Sequence, residues 1–320
     1  IKTYHYVPYV LFSSWLFSAY YLLRSVLGPT YRFFHIAICA FALCGLYALT
    51  MPLVSNGFYH VTGAFQYQTG NILTMLLIGC LVRISSTQNP FSIVVVAALL
   101  IFAVVGSTEL HMVSILILIT IVTFQSFITT ASSRYYWFFL LVVTLLSVLL
   151  LISAPGIEGR GRYFLDRHQF WFSVGESIKQ LGIWLSIWYR DPLFWLVTAS
   201  TVLWLKQITY QNRLYRRVTR LHIAIFLPGW LLCLFLCFFV AFWSMGVGLP
   251  ERAMNVVYFL FLIGWFFLVF AGTNVWYQTN SLRSTKKGGV VSRIATPALL
   301  VLMSFGFLSA EGFQTAYADL

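Results

Sequence analysis

Long apolar runs, almost free of charge, constrain this chain more than any other feature. About ten stand out, at 7–27, 33–54, 70–85, 91–106, 111–131, 136–153, 192–206, 222–246, 255–276 and 294–310. A helix needs roughly 20 mostly apolar residues to cross a bilayer, and most of these runs approach that length. Only 9% of the 320 residues are charged while 60% are hydrophobic, so a water-facing surface cannot be made from this composition. The runs lack the apolar–polar alternation of a membrane β-barrel. The expectation is an all-α, polytopic integral membrane protein forming a single transmembrane domain over 1–320.

The charges divide by face. Arg24, Arg32, Arg83, Arg134, Lys206, Arg213, Arg216, Arg217, Arg220, Arg283, Lys286, Lys287 and Arg293 fall in alternate connections that contain no acid. Glu109, Glu158, Asp166, Glu176, Asp191, Glu251, Glu311 and Asp319 all fall on the opposite side. This is the positive-inside pattern, with the basic side cytoplasmic. The excess positive charge is accounted for by topology and anionic lipid headgroups, which argues against nucleic acid as a partner. Ile1 then lies outside the cytoplasm, and an upstream span is expected to precede it. Cys39, Cys44, Cys80, Cys233 and Cys237 all sit inside proposed spans as small packing residues.

Four segments meet on the external side. "SNGFYHVTGAFQYQTGN" (55–71) carries His60, Gln66 and Tyr67 but no charge. "GSTELHM" (106–112) places Glu109 and His111 at a tight turn. "SAPGIEGRGRYF" (153–164) clusters Glu158, Arg160 and Arg162 among glycines. "GLPERAMN" (248–255) brings Glu251 and Arg252 to the start of a span. The stretch 170–189, with Trp171, Trp184, Trp188 and Tyr189 beside Glu176 and Lys179, reads as an amphipathic helix lying in the interface.

A carboxylate at membrane depth is costly and usually faces a polar cavity or a cation, so Glu109 is the leading acid; the alternative is a loop glutamate at the water boundary. His60 and His111 are either site groups or hydrogen-bonded interfacial residues. Together with Glu109 they are compatible with a divalent metal, though no spacing requires one and no cofactor is called for. Arg160, Arg162 and Arg252 offer planar donors that suit a lipid phosphate, with salt bridges to Glu158, Asp166 and Glu251 as the competing use.

These four loops, in this order on one face, resemble those of the GT-C superfamily of bacterial polyprenyl-phosphate-dependent glycosyltransferases. "FYHVTGAFQYQTGN" resembles an aromatic–Thr–Gly–x–x–x–Tyr loop, "GSTEL" a Gly–x–x–Glu turn, "APGIEGR" an Ala–Pro–Gly–x–x–x–Arg motif, and "PERAMNV" a late Pro–x–Arg at the start of a span. The resemblance covers these loops and the span order, not the whole chain. It implies transfer of a sugar from a polyprenyl-phosphate carrier to a cell-envelope acceptor, at the outer side of the bacterial inner membrane. Under it, Glu109 and His60 are the catalytic candidates, Arg160, Arg162 and Arg252 bind phosphate, and Tyr67, Gln66 and His111 contact sugar or acceptor. The implied partners are the carrier-linked sugar and membrane lipids.

The family pattern also implies an essential acid in the first external loop, and no Asp or Glu precedes Glu109 here. That loop is expected upstream of Ile1, or else Glu109 does its work. An oligosaccharide ligase or polymerase and a non-catalytic membrane subunit are the competing readings.

Overall fold

The structure, a computed structural model, describes residues 6–28, 31, 33–54, 58, 63–129, 133–154, 164, 167–208 and 218–280. Among these the regular elements are all helical. They are α1 (Val7–Leu27), α2 (Phe33–Thr50), α3 (Thr69–Ile84), α4 (Phe91–Val105), α5 (Glu109–Ile128), α6 (Arg134–Ile152), α7 (Phe170–Arg190), α8 (Pro192–Ile208), α9 (Arg220–Met245) and α10 (Glu251–Asn280). One π-helical turn, Ala64–Gln68, runs directly into α3. The apolar run at 294–310 lies outside the described residues.

By length and composition seven helices suffice to cross a membrane: α1, α2, α3 with its π-turn, α5, α6, α9 and α10. The apolar helices Phe91–Val105 and Pro192–Leu205 are shorter. Nine of the ten expected runs are therefore helices, but two fall short of the length that a straight crossing requires. The third run extends upstream of its expected start, because the π-turn joins it to the amide-rich loop.

Local chemistry sets the ends. Gly28 takes a φ of 80° after α1 and its N–H returns to the Arg24 carbonyl. Gly246 closes α9 in the left-handed region at φ 70°, a conformation that costs glycine little. Thr219 opens α9 in a capping box with His222. Thr108 opens α5 by accepting the His111 N–H.

Two apolar cores share α3. Ile72 and Met75 face the larger one, where Trp15 of α1, Tyr47 of α2, Phe194 of α8, Leu234 of α9 and Phe261 of α10 meet. Leu77, Cys80 and Leu81 face the second, shared with Val94, Ile101, Ile115, Ile119 and Leu140 of α4 to α6. Close approach is built in by small residues: a Cβ on Gly79 would lie 2.6 Å from the Tyr21 ring, and one on Gly264 would collide with the Trp230 indole. The outward faces are apolar as well. Phe34, Leu99, Phe102, Leu149 and Leu150 are all exposed. A helix apolar on every side belongs in hydrocarbon or deep within protein.

Among the described residues the two ends of the bundle differ in charge. Arg83, near the end of α3, donates from Nε to Ser25 Oγ of α1 at 3.1 Å and lies over the Tyr21 ring at 4.6 Å. Val218, just before α9, and Val26 of α1 both pack against the buried pair Leu205 of α8 and Phe270 of α10. Arg24, Arg83, Arg134 and Arg220 therefore mark one end, and Glu109 and Glu251 open helices at the other. The five cysteines are free, four of them buried.

α7 has the bounds expected of the interfacial helix. It begins beside the acidic end of α9, where the His168 N–H reaches the Trp243 carbonyl and Phe170 contacts Phe239. It ends deeper, with Trp188 against Tyr258 and Phe261 at centroid distances of 5.3 and 4.7 Å. Phe261 lies roughly three turns into α10, so α7 slants into the bundle instead of lying flat across its end. Ser173, Ser177 and Trp188 form its buried side, while Trp171 is 81% exposed.

Candidate functional site

The acidic end holds a buried polar network built from segments far apart in sequence. It starts at Thr108, whose Oγ1 accepts the His111 N–H and lies 2.7 Å from His111 Nδ1. His111 Nε2 is 3.0 Å from Asn71 Oδ1 on α3. Asn71 Nδ2 donates to Tyr47 Oη at 3.3 Å and to Gln68 Oε1 at 3.4 Å. The Tyr47 hydroxyl has two acceptors for its single proton, Gln68 Oε1 and the Asn255 carbonyl, each at 3.2 Å. The Asn255 side chain then clasps Leu53, accepting from its N–H at 3.0 Å and donating to its carbonyl at 2.7 Å.

Every side chain in this chain of bonds is buried. The bonds assign one tautomer. Because Asn71 Nδ2 is committed to Tyr47 and Gln68, Asn71 Oδ1 must accept from His111 Nε2–H, so the Thr108 hydroxyl donates to Nδ1. His111 thus spends both ring nitrogens inside the protein. Gly70 makes room for the ring, since a Cβ there would fall within contact distance of His111 Cε1.

The network rests on an aromatic floor. Tyr47 stacks on Trp15 at 4.5 Å, Trp15 meets Phe259 edge-on, and the Tyr258 hydroxyl bonds Thr50 Oγ1. Gln68 Nε2, like Trp15 Nε1 in the floor, is a buried donor without a hydrogen-bond partner among the described residues. A buried orphan donor needs an explanation, such as a water or a ligand group.

The structure sorts the sequence candidates into distinct settings. Glu109 is the first residue of α5 and half-buried, where the helix dipole favours a carboxylate. Arg252 is exposed in the first turn of α10, and its neighbour Asn255 belongs to the network. His111, expected to face sugar or acceptor, is instead enclosed between Thr108 and Asn71. Gln66 is exposed, and Tyr67 is half-buried against the larger core. His60, Arg160 and Arg162 lie outside the described residues.

Sequence reasoning passed over Gln68, Asn71, Tyr47 and Asn255. The available signal was the amide pair within "QTGN" beside an apolar run. What could not be read was the π-turn, which adds a residue to the turn and so brings Gln68 inward while Gln66 faces out. Among the described residues no three His, Cys, Asp or Glu side chains are grouped to hold a metal ion. No family model, curated protein or solved structure matches the chain.

Proposed function

We propose that this chain is a multi-pass glycosyltransferase of the bacterial inner membrane, moving a sugar from a polyprenyl-phosphate carrier to a cell-envelope acceptor at its acidic, external end. The observation that carries the reading is convergence: residues from 68–71, 108–111 and 255 join one hydrogen-bonded network. Three of the four external segments thus meet at one end of the bundle, as a single site requires. The charge division between the ends supports the orientation, with Arg24, Arg83 and Arg220 toward the cytoplasm.

In this reading Glu109 takes the proton from the acceptor hydroxyl. The hydroxyl oxygen bonds the anomeric carbon as the bond from that carbon to the phosphate oxygen breaks. The electron pair leaves on the carrier phosphate, where Arg252 opposes the developing charge. The buried network holds the two helix starts in register, and Gln68 Nε2 is the donor left for an incoming hydroxyl or a water.

The test is transfer of label from a polyprenyl-phosphoryl hexose into envelope material by membranes containing the chain. Transfer above that of membranes lacking it supports the proposal. A second reading, a non-catalytic membrane subunit, is favoured by the closure of the network around His111. Absence of transfer, together with stable co-purification of other envelope proteins, would select it.

A further inference from the structure

A sizeable cavity lies toward the other end. It has a volume of about 440 Å³ and is lined by α1, α2, α3, α5, α8, α9 and α10, with Trp137 of α6. That size falls within the roughly 300–1,000 Å³ usual for ligand sites. Its wall is hydrocarbon: Leu23, Ile78, Leu118, Trp204, Phe226 and Ile263 are typical. Even the hydroxyls on it turn back into their own helices. Thr74 bonds the Gly70 carbonyl, Ser114 the His111 carbonyl and Thr201 the Val197 carbonyl. With Gln125, Ser200 and His222 among its few other polar side chains, a wall this poor in partners for water gains by contact with hydrocarbon.

The end of the bundle toward which it lies is cationic, although none of the arginines there is itself on the wall. Arg83 follows the lining residue Val82, Arg24 follows Leu23, and Arg220 stands between Val218 and His222, which both line the cavity. Arg83 bonds a serine hydroxyl and a tyrosine face; Arg24 bonds the carbonyls of Gly28 and Tyr31. Among the described residues neither guanidinium has a carboxylate partner, and no acid lies at this end. Hydrocarbon inside and unneutralised arginines at the rim match one chemistry.

We propose that this cavity holds an acyl chain of an anionic glycerophospholipid from the basic-side leaflet, with its phosphate headgroup against Arg83 and Arg220. The site rests on the membrane placement of the chain and not on its transferase activity. It is a lipid seat between the two halves of the bundle, filling the space that the α5–α9 and α1–α10 contacts leave open.

The experiment reconstitutes the full chain with phosphatidylglycerol or phosphatidylcholine carrying the same photoactivatable diazirine on one acyl chain, and maps the labelled peptides. The phosphatidylglycerol probe should label Ser114–Gln125 and Gly229–Cys233 more than the phosphatidylcholine probe, by about fivefold for each rim arginine engaged. Arg83→Gln with Arg220→Gln should abolish that preference. Ser200→Trp on α8, or Cys39→Phe on α2, should suppress cavity labelling while the outward faces of α4 and α6 stay labelled. Equal labelling by the two probes, or cavity labelling unchanged in both filled variants, would overturn the proposal. Outward faces labelled while cavity peptides are not would overturn it too, and would point to the chain's own 294–310 run as the filler. Labelling of no helix by either probe would instead remove the membrane placement itself.

Discussion

His111 Nε2 lies 3.0 Å from Asn71 Oδ1, and that bond ties the start of α5 to the start of α3. Because Thr108 holds the other ring nitrogen, the imidazole cannot swing away when a neighbour grows. The ring fills the space above Gly70, so the network and the helix packing are one feature.

Gly70→Ala should therefore destabilise the protein by about 1–3 kcal/mol, the usual cost of overpacking a filled site. Gly45→Ala is the control, as nothing lies within 4 Å of a Cβ there. It should be neutral or slightly stabilising, since alanine favours helix by up to about 1 kcal/mol over glycine. Thermal unfolding of both variants in detergent checks the difference. Equal behaviour would mean the His111 ring is not pinned.

Asn71→Ala should cost less than Gly70→Ala. Polar contacts between membrane helices average only ~0.6 kcal/mol and rarely exceed ~1.7. The larger effect should appear in a double-mutant cycle with Tyr47→Phe, because Asn71 Nδ2 donates to the Tyr47 hydroxyl. A coupling energy indistinguishable from zero would mean that the bond between Asn71 and Tyr47 contributes nothing to stability.

Topology offers an independent check. A cysteine replacing Thr87, in the exposed turn after α3, should react with an impermeant reagent only from the cytoplasmic side. One replacing Val247, exposed between α9 and α10, should react only from outside. The reverse pattern would invert the orientation drawn from the charge division.

Most of the helical framework was legible in the sequence, because the 3.6-residue period imposes little when every face of a helix is apolar; length and the end signals suffice. The site was less so. Glu109 and Arg252 announce themselves as charges beside long apolar runs, whereas Asn71 and Asn255 are neutral amides whose meaning lies in partners 24 to 208 residues away. Gln68 was hidden by the π-turn, which breaks the spacing from which facing is inferred. The slant of α7 was hidden too. Its composition describes an interfacial helix, but the seat of Trp188 against Phe261 is a tertiary fact.

Arg252→Lys and Arg252→Gln separate charge from geometry in the proposed role of Arg252 against a carrier phosphate. Lysine keeps the charge but loses the planar two-donor fork, so both variants should slow sugar transfer, glutamine by roughly tenfold or more. Full activity of the lysine variant with loss in the glutamine variant would reduce Arg252 to a point charge. Full activity in both would remove it from the site.

The most direct measurement is release of polyprenyl phosphate from a polyprenyl-phosphoryl hexose by proteoliposomes supplied with envelope glycan and lipid extract as acceptor, comparing the unaltered chain with Glu109→Gln at matched thermal stability. Removing a general base typically costs about 10²–10⁴-fold, whereas losing a favourable charge at a helix start costs only about 0.3–1 kcal/mol of stability. The unaltered chain should release polyprenyl phosphate, and the glutamine variant should do so at least about a hundredfold more slowly. No release by the unaltered chain, or an unchanged rate in the variant, would contradict sugar transfer by Glu109 at the acidic end.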